Sequence, residues 1–234
     1  MRKVLVDLTV VRQASSVNGA GLHLPGHEDM QRIVLASGSP RRRVLLEQIG
    51  VRFEVLPSGT PELTGANAGP EEHVQRAAVL KAWGVAQHLE PEAILIAADT
   101  VVCIDGALLG KPSDEAQAAK MLRRLSGRAH TVYTGLAVGR AGDVPKACPR
   151  LDQWRRSGLD TDLAATWVKF RRLSPAEIRS YVETGEPLDK AGAYAIQGRG
   201  ALLVEEIRGC YFNVVGLPLV KLAGMLARFG IRPL

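Results

Sequence analysis

The run from Ala93 to Ala98, in which every residue is apolar, constrains the fold more than any other part of the sequence. A strand with one face in water alternates apolar and polar residues, whereas an unbroken apolar run is typical of a strand that is covered on both faces. A sheet that is covered on both faces is compatible with an α/β fold, in which helices pack on each side. A composition that is 46% hydrophobic and 23% charged is normal for such a globular protein.

Strand and helix patterns alternate along the chain from Ile33 onward. A hairpin turn at Asp105–Gly106 lies among them, so we predict a mixed sheet flanked by helices. Residues 1–31 show no clear period, and we interpret them as an N-terminal extension that precedes a folded domain over 33–234. The predicted strands are 33–36, 51–56, 93–98, 101–104, 130–138 and 163–170, with two or three more between 193 and 215. The predicted helices begin at Ser39–Pro40, Pro70, Ser113, Ser174 and Leu217, and the segment Ser174–Glu177 is predicted to form a capping box. Residues 139–160 are predicted to be a loop or an insertion.

The net charge of +6 and the pI of about 9.5 favour an anionic partner, which DNA, a membrane surface or a phosphorylated small molecule would satisfy. The basic residues are spread along the chain, and the longest run is Arg41–Arg43. Only 5% of the residues are aromatic, which argues against a stacking platform for single-stranded nucleic acid. We therefore expect a small phosphorylated partner and no nucleic acid.

The three cysteines are far apart and form neither a disulfide framework nor a metal-binding spacing, which indicates a reducing compartment. No stretch is long and apolar enough to span a membrane. The apolar start Val4–Val6 is interrupted by Asp7 and lacks a cleavage site, so we do not interpret it as a secretion signal. These observations predict a cytoplasmic protein without a membrane partner.

The corner from Ser37 to Arg43 is the first candidate site, because a predicted strand turns there into the start of a helix. Unpaired backbone N–H groups and the helix dipole attract phosphate to such a corner. Arg41 and Arg42 lie in the first helical turn, where the dipole disfavours a cation unless an anion is present. We consider Ser37, Ser39 and Arg41 as phosphate contacts, although a surface helix with solvated arginines would have the same sequence.

Asp99 is the second candidate, because it directly follows the buried strand predicted over 93–98. Ligands of α/β sheets collect at the carboxyl ends of strands, where a carboxylate can hold a metal or a water molecule. The alternative is an aspartate that makes a hydrogen bond in a turn. The apolar residues Val101 and Val102 that follow argue against a simple turn.

Two lysines and a glutamate are further candidates. Lys111 lies between a hairpin and a helix start, from which its ammonium can reach a phosphate, although a solvated surface lysine would have the same pattern. Lys81 falls on the apolar side of its helix, so it either extends to the surface or points into a cleft. Glu62 lies in a loop whose pattern indicates no role. Without a standard phosphate-binding motif, the residues predict an anion-binding α/β enzyme, with metal assistance as one option.

Several segments, in order from Ile33 to the end of the chain, form a set of motifs: Leu35–Leu46, Ala98–Val102, Gly110–Pro112, Leu125–Gly127, Tyr133–Gly135, Pro187–Tyr194, Ile196–Gly198 and Val215–Leu219. In sequence and in order they resemble the motifs of the Maf nucleotide pyrophosphatase family. The resemblance implies a strongly twisted sheet in an elongated, two-lobed fold with a central cleft, and a homodimer. Residues 1–31 and a long stretch over 140–159 depart from the family pattern.

The family's enzymes hydrolyse nucleoside triphosphates to the monophosphate and pyrophosphate with a divalent cation, Mg²⁺ or Mn²⁺. The resemblance implies that Asp99 is the proton acceptor and that Glu62 and Asp99 hold the metal. It also implies that Arg41, Lys81 and Lys111 bind the phosphates.

The family that the chain resembles divides into branches that act on different substrates. Arg41, Thr100 and Gln197 match the branch that acts on dTTP and UTP, and Gln197 carries the donor and acceptor groups that suit a pyrimidine edge. A branch that acts on 7-methyl-GTP is similar overall and is the alternative specificity. A nucleotide-binding regulator of septum formation, the role from which the family takes its name, is the alternative that needs no turnover.

Overall fold

A seven-stranded mixed sheet organises the part of the chain that the structure describes, which is residues 31–60, 63, 69–148 and 154–234 of a computed structural model. The strand order is β2-β1-β3-β5-β6-β7, and β4 pairs with β3 outside this path. The predicted α/β class with a mixed sheet is confirmed. The strands are β1 Ile33–Leu35, β2 Glu54–Val55, β3 Ile94–Ile104, β4 Ala107–Leu109, β5 Ala129–Arg140, β6 Asp160–Phe170 and β7 Val204–Arg208.

Strand β3 is the central strand, and its two halves have different neighbours. Its first half runs parallel to β1, with Leu35 opposite Ile96. Beyond that point β1 has ended, whereas the antiparallel pairing with β5 continues to Cys103. The two strands predicted over 93–98 and 101–104 are therefore one strand, because β5 holds the intervening Asp99 and Thr100 in an extended conformation.

Six α-helices lie in the described residues, and five of them begin within two residues of a predicted start. Ser174 forms the predicted capping box with Glu177, in which both reciprocal hydrogen bonds are present. Ser39 occupies the cap of α1 without a side-chain bond, and Asp114 rather than Ser113 caps α3. The helices are α1 Pro40–Gln48, α2 Pro70–Ala86, α3 Glu115–Leu125, α4 Pro175–Val182, α5 Tyr211–Val215 and α6 Leu219–Ala227.

The strands predicted between 193 and 215 are wrong except for β7. Two 3₁₀ segments, Ala191–Ala193 and Gly198–Leu203, precede β7, and helix α5 follows it. Gly192 and Gly198 have positive φ angles of 69° and 67°, which interrupt an extended chain.

The connection between β5 and β6 is shorter than the loop predicted over 139–160, because both strands extend into that region. Strand β5 continues to Arg140 and β6 starts at Asp160. The 3₁₀ segments Ala141–Asp143 and Trp154–Arg156 lie between them, and residues 149–153 are outside the described ranges. The predicted extension over 1–31 also lies outside them, apart from Gln31. Among the helices that the structure describes, none has the length and apolar character needed to cross a membrane.

The hairpin between β3 and β4 turns at Asp105 and Gly106, as predicted. Both residues have positive φ, 51° and 73°, which is the signature of a tight type I′ turn. The turn brings β4 back along β3, so that Gly110 and Lys111 emerge near the middle of the central strand.

Helix α2 packs on the sheet at Gly135, the residue of β5 that lies opposite Asp99. A Cβ atom at Gly135 would lie 2.4 Å from the carbonyl carbon and oxygen of Val74 in α2. The helix backbone therefore lies too close to the sheet to leave room for a side chain at this position. Its apolar face, including Val74, Ala77 and Ala78, is buried there, and the same face carries Lys81 toward β3.

We expect Gly135→Ala to lower the free energy of unfolding by about 1–3 kcal/mol, because the added methyl group forces α2 away from the sheet. Gly224→Ala in α6 is the matched control, since a Cβ atom there meets nothing within 4 Å and alanine favours a helix by up to about 1 kcal/mol. Urea denaturation measures both variants. Equal stability of the two would contradict the close approach of α2.

Candidate active site

A cleft of about 800 Å³ opens where β1 ends beside the central strand β3. Asp99 lines this cleft, three residues beyond Ile96, the last β3 residue that pairs with β1. The prediction that Asp99 lies at a strand end is wrong, because it lies inside β3. It nevertheless faces the cleft, because the neighbouring parallel strand stops short of it.

Lys81 and Asp99 form an ion pair in the cleft, with 2.5 Å between Nζ and Oδ1. Their side chains are 20% and 15% exposed, so both charges are largely withdrawn from water. Charges this far buried are stable only when they are paired. The sequence left open whether Lys81 extends to the surface or points into a cleft, and the structure shows that it points into the cleft.

Arg42 is the residue that the sequence reasoning missed. Its guanidinium is buried and donates to three acceptors: Ser37 Oγ at 3.0 Å, Thr100 Oγ1 at 3.0 Å and the Gly216 carbonyl at 2.8 Å. Burial lowers its pKa to about 10, the charge of Asp99 acts in the opposite direction, and Arg41 lowers it further. Arg42 stays protonated at neutral pH and places a fixed positive charge in the cleft wall.

A signal for Arg42 was present in the sequence. It precedes the buried Leu45 and Leu46 by three and four residues, which places it on the apolar face of α1. An arginine in that position requires several acceptors inside the protein, whereas its neighbours Arg41 and Arg43 do not share that face.

Thr100 belongs to a chain of buried hydrogen bonds behind the cleft. Its hydroxyl lies 2.9 Å from that of Thr134, which donates to the backbone carbonyl of Asn213 at 3.2 Å. The amide of Asn213 in turn donates to the Val132 carbonyl and to Thr166 Oγ1. This chain connects β3, β5, β6 and α5, so Thr100 is held rigidly in the cleft wall.

The cleft brings together most of the predicted site residues. Gln197 is not among its lining residues, and it directly precedes the 3₁₀ segment Gly198–Leu203. Glu62 lies outside the described residues. The predicted residues that line the cleft are Ser37, Ser39, Arg41, Lys81, Asp99, Thr100 and Lys111.

Asp189 and Lys190 also line the cleft, although the sequence reasoning gave them no role. Of the described lining residues, five are cationic and two are carboxylates, so the cleft has an excess of three formal positive charges. An anion is the ligand that this charge distribution favours.

A metal has few protein ligands in the described cleft. Among the described residues, no group of three His, Cys, Asp or Glu side chains comes close enough to hold an ion. Mg²⁺ is usually held by one or two carboxylates together with substrate phosphates and water. The carboxylate of Asp99 fits a cation of that kind, one that arrives with a phosphorylated ligand.

The cleft residue Tyr194 rests on a buried histidine. Its hydroxyl lies 2.7 Å from His130 Nε2, and burial lowers the pKa of His130 to about 4. His130 is therefore neutral at physiological pH.

We expect acid to destabilise the fold through His130. Between pH 6.5 and about 4 the unfolded chain takes up a proton that the folded chain excludes. The stabilisation is present above pH 6.5 and is lost as the pH falls toward 4. Over that range, His130→Phe should lose about 3 kcal/mol less unfolding free energy than the wild type, measured by urea denaturation at a series of pH values. Parallel pH profiles would contradict a buried neutral imidazole.

We expect Arg42→Lys to lower the free energy of unfolding by about 2–4 kcal/mol, because an ammonium cannot reach three acceptors in fixed directions. Arg43→Lys, one residue further along α1, is the control. Arg43 is 64% exposed and pairs with Glu47 on the surface, so its replacement should change stability by less than about 0.5 kcal/mol. Thermal and urea denaturation compare the two, and similar losses would show that Arg42 has no special role.

Comparison with known proteins assigns the chain to a family. The model of the Maf-like protein family matches residues 32–229. The dTTP/UTP pyrophosphatase of Moorella thermoacetica is 50% identical over 202 residues, which cover 86% of this chain and 97% of that protein. The dTTP/UTP pyrophosphatase of Pelotomaculum thermopropionicum is 48% identical over 201 residues, with 86% and 98% covered.

Among solved structures, a HAM1 protein from Coxiella burnetii overlaps with a TM-score of 0.41 at 17% identity, covering 62% of this chain and 75% of that one. This overlap is too small to bear on function. The family match spans every residue that lines the cleft, and each of the two relatives covers 86% of this chain. The chain therefore belongs to the Maf-like protein family.

Proposed function

We propose that this protein is a nucleoside triphosphate pyrophosphatase that hydrolyses dTTP and UTP to the monophosphate and pyrophosphate. The observation that carries the proposal is the Lys81–Asp99 pair in a cleft with excess positive charge. A carboxylate that can accept a proton therefore lies among cations that can bind phosphates. The two relatives named dTTP/UTP pyrophosphatase support the choice of substrate.

Asp99 accepts a proton from the attacking water in the proposed reaction. The water oxygen bonds to phosphorus, the α–β anhydride is cleaved, and the pyrophosphate leaves with the electron pair of that bond. Lys81 contacts Oδ1 of Asp99, so it orients the carboxylate before the substrate arrives. Phosphoryl transfer depends mainly on such positioning and on neutralising charge.

The phosphates are bound by residues from separate elements. Arg41 and Ser39 come from the start of α1, and Lys111 follows the β3–β4 hairpin. Ser37 accepts a hydrogen bond from Arg42, and it contributes to the wall through that bond. The buried charge of Arg42 adds a field that favours the same anion.

A divalent cation, Mg²⁺ or Mn²⁺, would be held by Asp99 together with Glu62 and the phosphates. It would neutralise charge that develops on the phosphate oxygens. Asp99 then orients the water and accepts its proton at the carboxylate that Lys81 contacts.

Arg41, Thr100 and Gln197 select the pyrimidine base in this proposal. Thr100 is fixed by Arg42 and Thr134. Glu186 accepts hydrogen bonds from the backbone N–H groups of Arg199 and Gly200, which hold the turn that follows Gln197. We also propose the homodimer and the cytoplasmic location that the family resemblance and the sequence imply.

We expect Asp99→Asn to reduce pyrophosphate release from dTTP and UTP on the order of 10²- to 10⁴-fold, because the amide cannot accept the proton. Asp105→Asn is the control. Asp105 is 51% exposed and contacts Arg128 at the hairpin tip, so this variant should keep full activity. A phosphate-release assay coupled to an inorganic pyrophosphatase measures both. Full turnover by Asp99→Asn would remove the proposed mechanism.

The same assay over dTTP, UTP, the other common triphosphates and 7-methyl-GTP tests the specificity. The proposal predicts the highest kcat/KM for dTTP and UTP. A preference for 7-methyl-GTP would assign the chain to the other branch, and binding without any turnover would favour a regulatory protein.

A further inference from the structure

Lys190 is a charged residue of the cleft that the proposed mechanism does not use. Its side chain is only 12% exposed and forms an ion pair with Asp189. Both residues line the cleft, from a segment that lies far along the chain from Arg41 and Lys81. Withdrawing an ammonium group from water to this extent costs free energy unless an anionic partner compensates for it.

The backbone fixes Lys190 in place. Its N–H donates to the Pro187 carbonyl at 3.2 Å, and its own carbonyl accepts from Ala193 N at 3.0 Å. Ala193 has a φ of 60°, a left-handed conformation that costs a non-glycine residue about 1 kcal/mol or more. A strained backbone conformation persists only where surrounding contacts hold it. The contacts around Ala193 therefore keep the loop in one conformation.

The loop of Lys190 is also bonded to the loop of Lys111. The N–H of Gly192 donates to the Gly110 carbonyl at 3.0 Å. A Cβ atom at Gly192 would lie 2.8 Å from the side chain of Val102, so the loop packs directly on β3. Lys111 follows Gly110 and Lys190 precedes Gly192 by two residues, so one backbone hydrogen bond joins two cationic segments of the cleft.

The partner of Lys190 is held much less tightly than Lys190 itself. The side chain of Asp189 is 66% exposed. Burial raises its pKa, but Lys190 and then Arg41 lower it by more, so Asp189 is ionised at neutral pH and within electrostatic reach of Arg41. Glu186 is the other carboxylate whose pKa the charge of Lys190 lowers. It already accepts hydrogen bonds from the Tyr181 hydroxyl and the Gly200 N–H. Asp189 is therefore the group that an incoming anion can displace.

We propose that Lys190 binds the phosphate chain of the substrate, and that Asp189 is its counterion only while the cleft holds no phosphate. The proposal rests on the proposed function and adds a residue to it. Replacing the carboxylate by a phosphate oxygen exchanges one charge-assisted hydrogen bond for another. Asp189 then opposes binding, whereas Lys190 favours it.

The test is the affinity for inorganic pyrophosphate, measured by isothermal titration calorimetry in excess EDTA so that no divalent cation contributes. Lys190→Gln should weaken binding about tenfold or more, the usual effect of losing a charge-assisted hydrogen bond. Asp189→Asn should strengthen it several-fold, because the competing carboxylate is gone. A purely structural ion pair predicts the same direction for both variants, so the opposite signs identify phosphate binding.

The pair of Lys169 and Glu205 supplies matched controls, since its ammonium and carboxylate are 3.0 Å apart and partly exposed on β6 and β7. Lys169→Gln and Glu205→Gln should leave pyrophosphate affinity unchanged. Unchanged affinity in Lys190→Gln, or weaker binding by Asp189→Asn, would overturn the proposal. If Lys190→Gln does not fold, the Asp189→Asn measurement decides alone.

The outcome is separable from that of the proposed function. A wild-type protein that binds pyrophosphate but does not hydrolyse dTTP or UTP contradicts the function and leaves the Lys190 measurement valid. A wild-type protein that hydrolyses them while Lys190→Gln binds pyrophosphate normally contradicts the inference alone.

Discussion

The buried guanidinium of Arg42 is the interaction on which the cleft depends. Its three acceptors belong to Ser37 after β1, Thr100 in the central strand, and Gly216 between α5 and α6. A guanidinium in the interior is tolerated only when its N–H groups find acceptors in fixed directions. The three segments must therefore adopt one mutual arrangement, and that arrangement is the back wall of the cleft. Arg41 and Asp99, each adjacent in sequence to a member of this set, are positioned by it.

The carboxylates of the described cleft are each paired with an ammonium group. Lys81 holds Asp99 and Lys190 holds Asp189, so both carboxylates lining the described cleft have an ammonium partner. Such pairing lowers the cost of keeping charges in a partly dry space before the substrate is present. A triphosphate that enters can take over the ammonium group of Lys190, because the carboxylate of Asp189 that it displaces is largely exposed to water.

Local patterns in the sequence predicted the elements near Asp99 well but not how they pair. The apolar run over 93–98, the hairpin at Asp105–Gly106 and the capping box at Ser174 depend on neighbouring residues, and all three are confirmed. The continuation of β3 through Asp99 depends on β5, more than thirty residues away, and no local pattern carries that information. The helix α5 was missed for a related reason, since Asn213 is held there by tertiary hydrogen bonds. Arg42 was readable from helical spacing, whereas the role of Lys190 depends on which residues the loop contacts.

The close contact at Gly135 has a consequence for how this fold can vary. Valine or isoleucine at that place in β5 would suit a strand better, since β-branched residues favour extended chains and glycine weakens them. Any such residue would lengthen the separation between Lys81 and Asp99 without touching either of them. Glycine at position 135 therefore lowers the strand propensity of β5 but allows Lys81 to reach Asp99. A substitution that raised the strand propensity would separate these two residues and weaken the site.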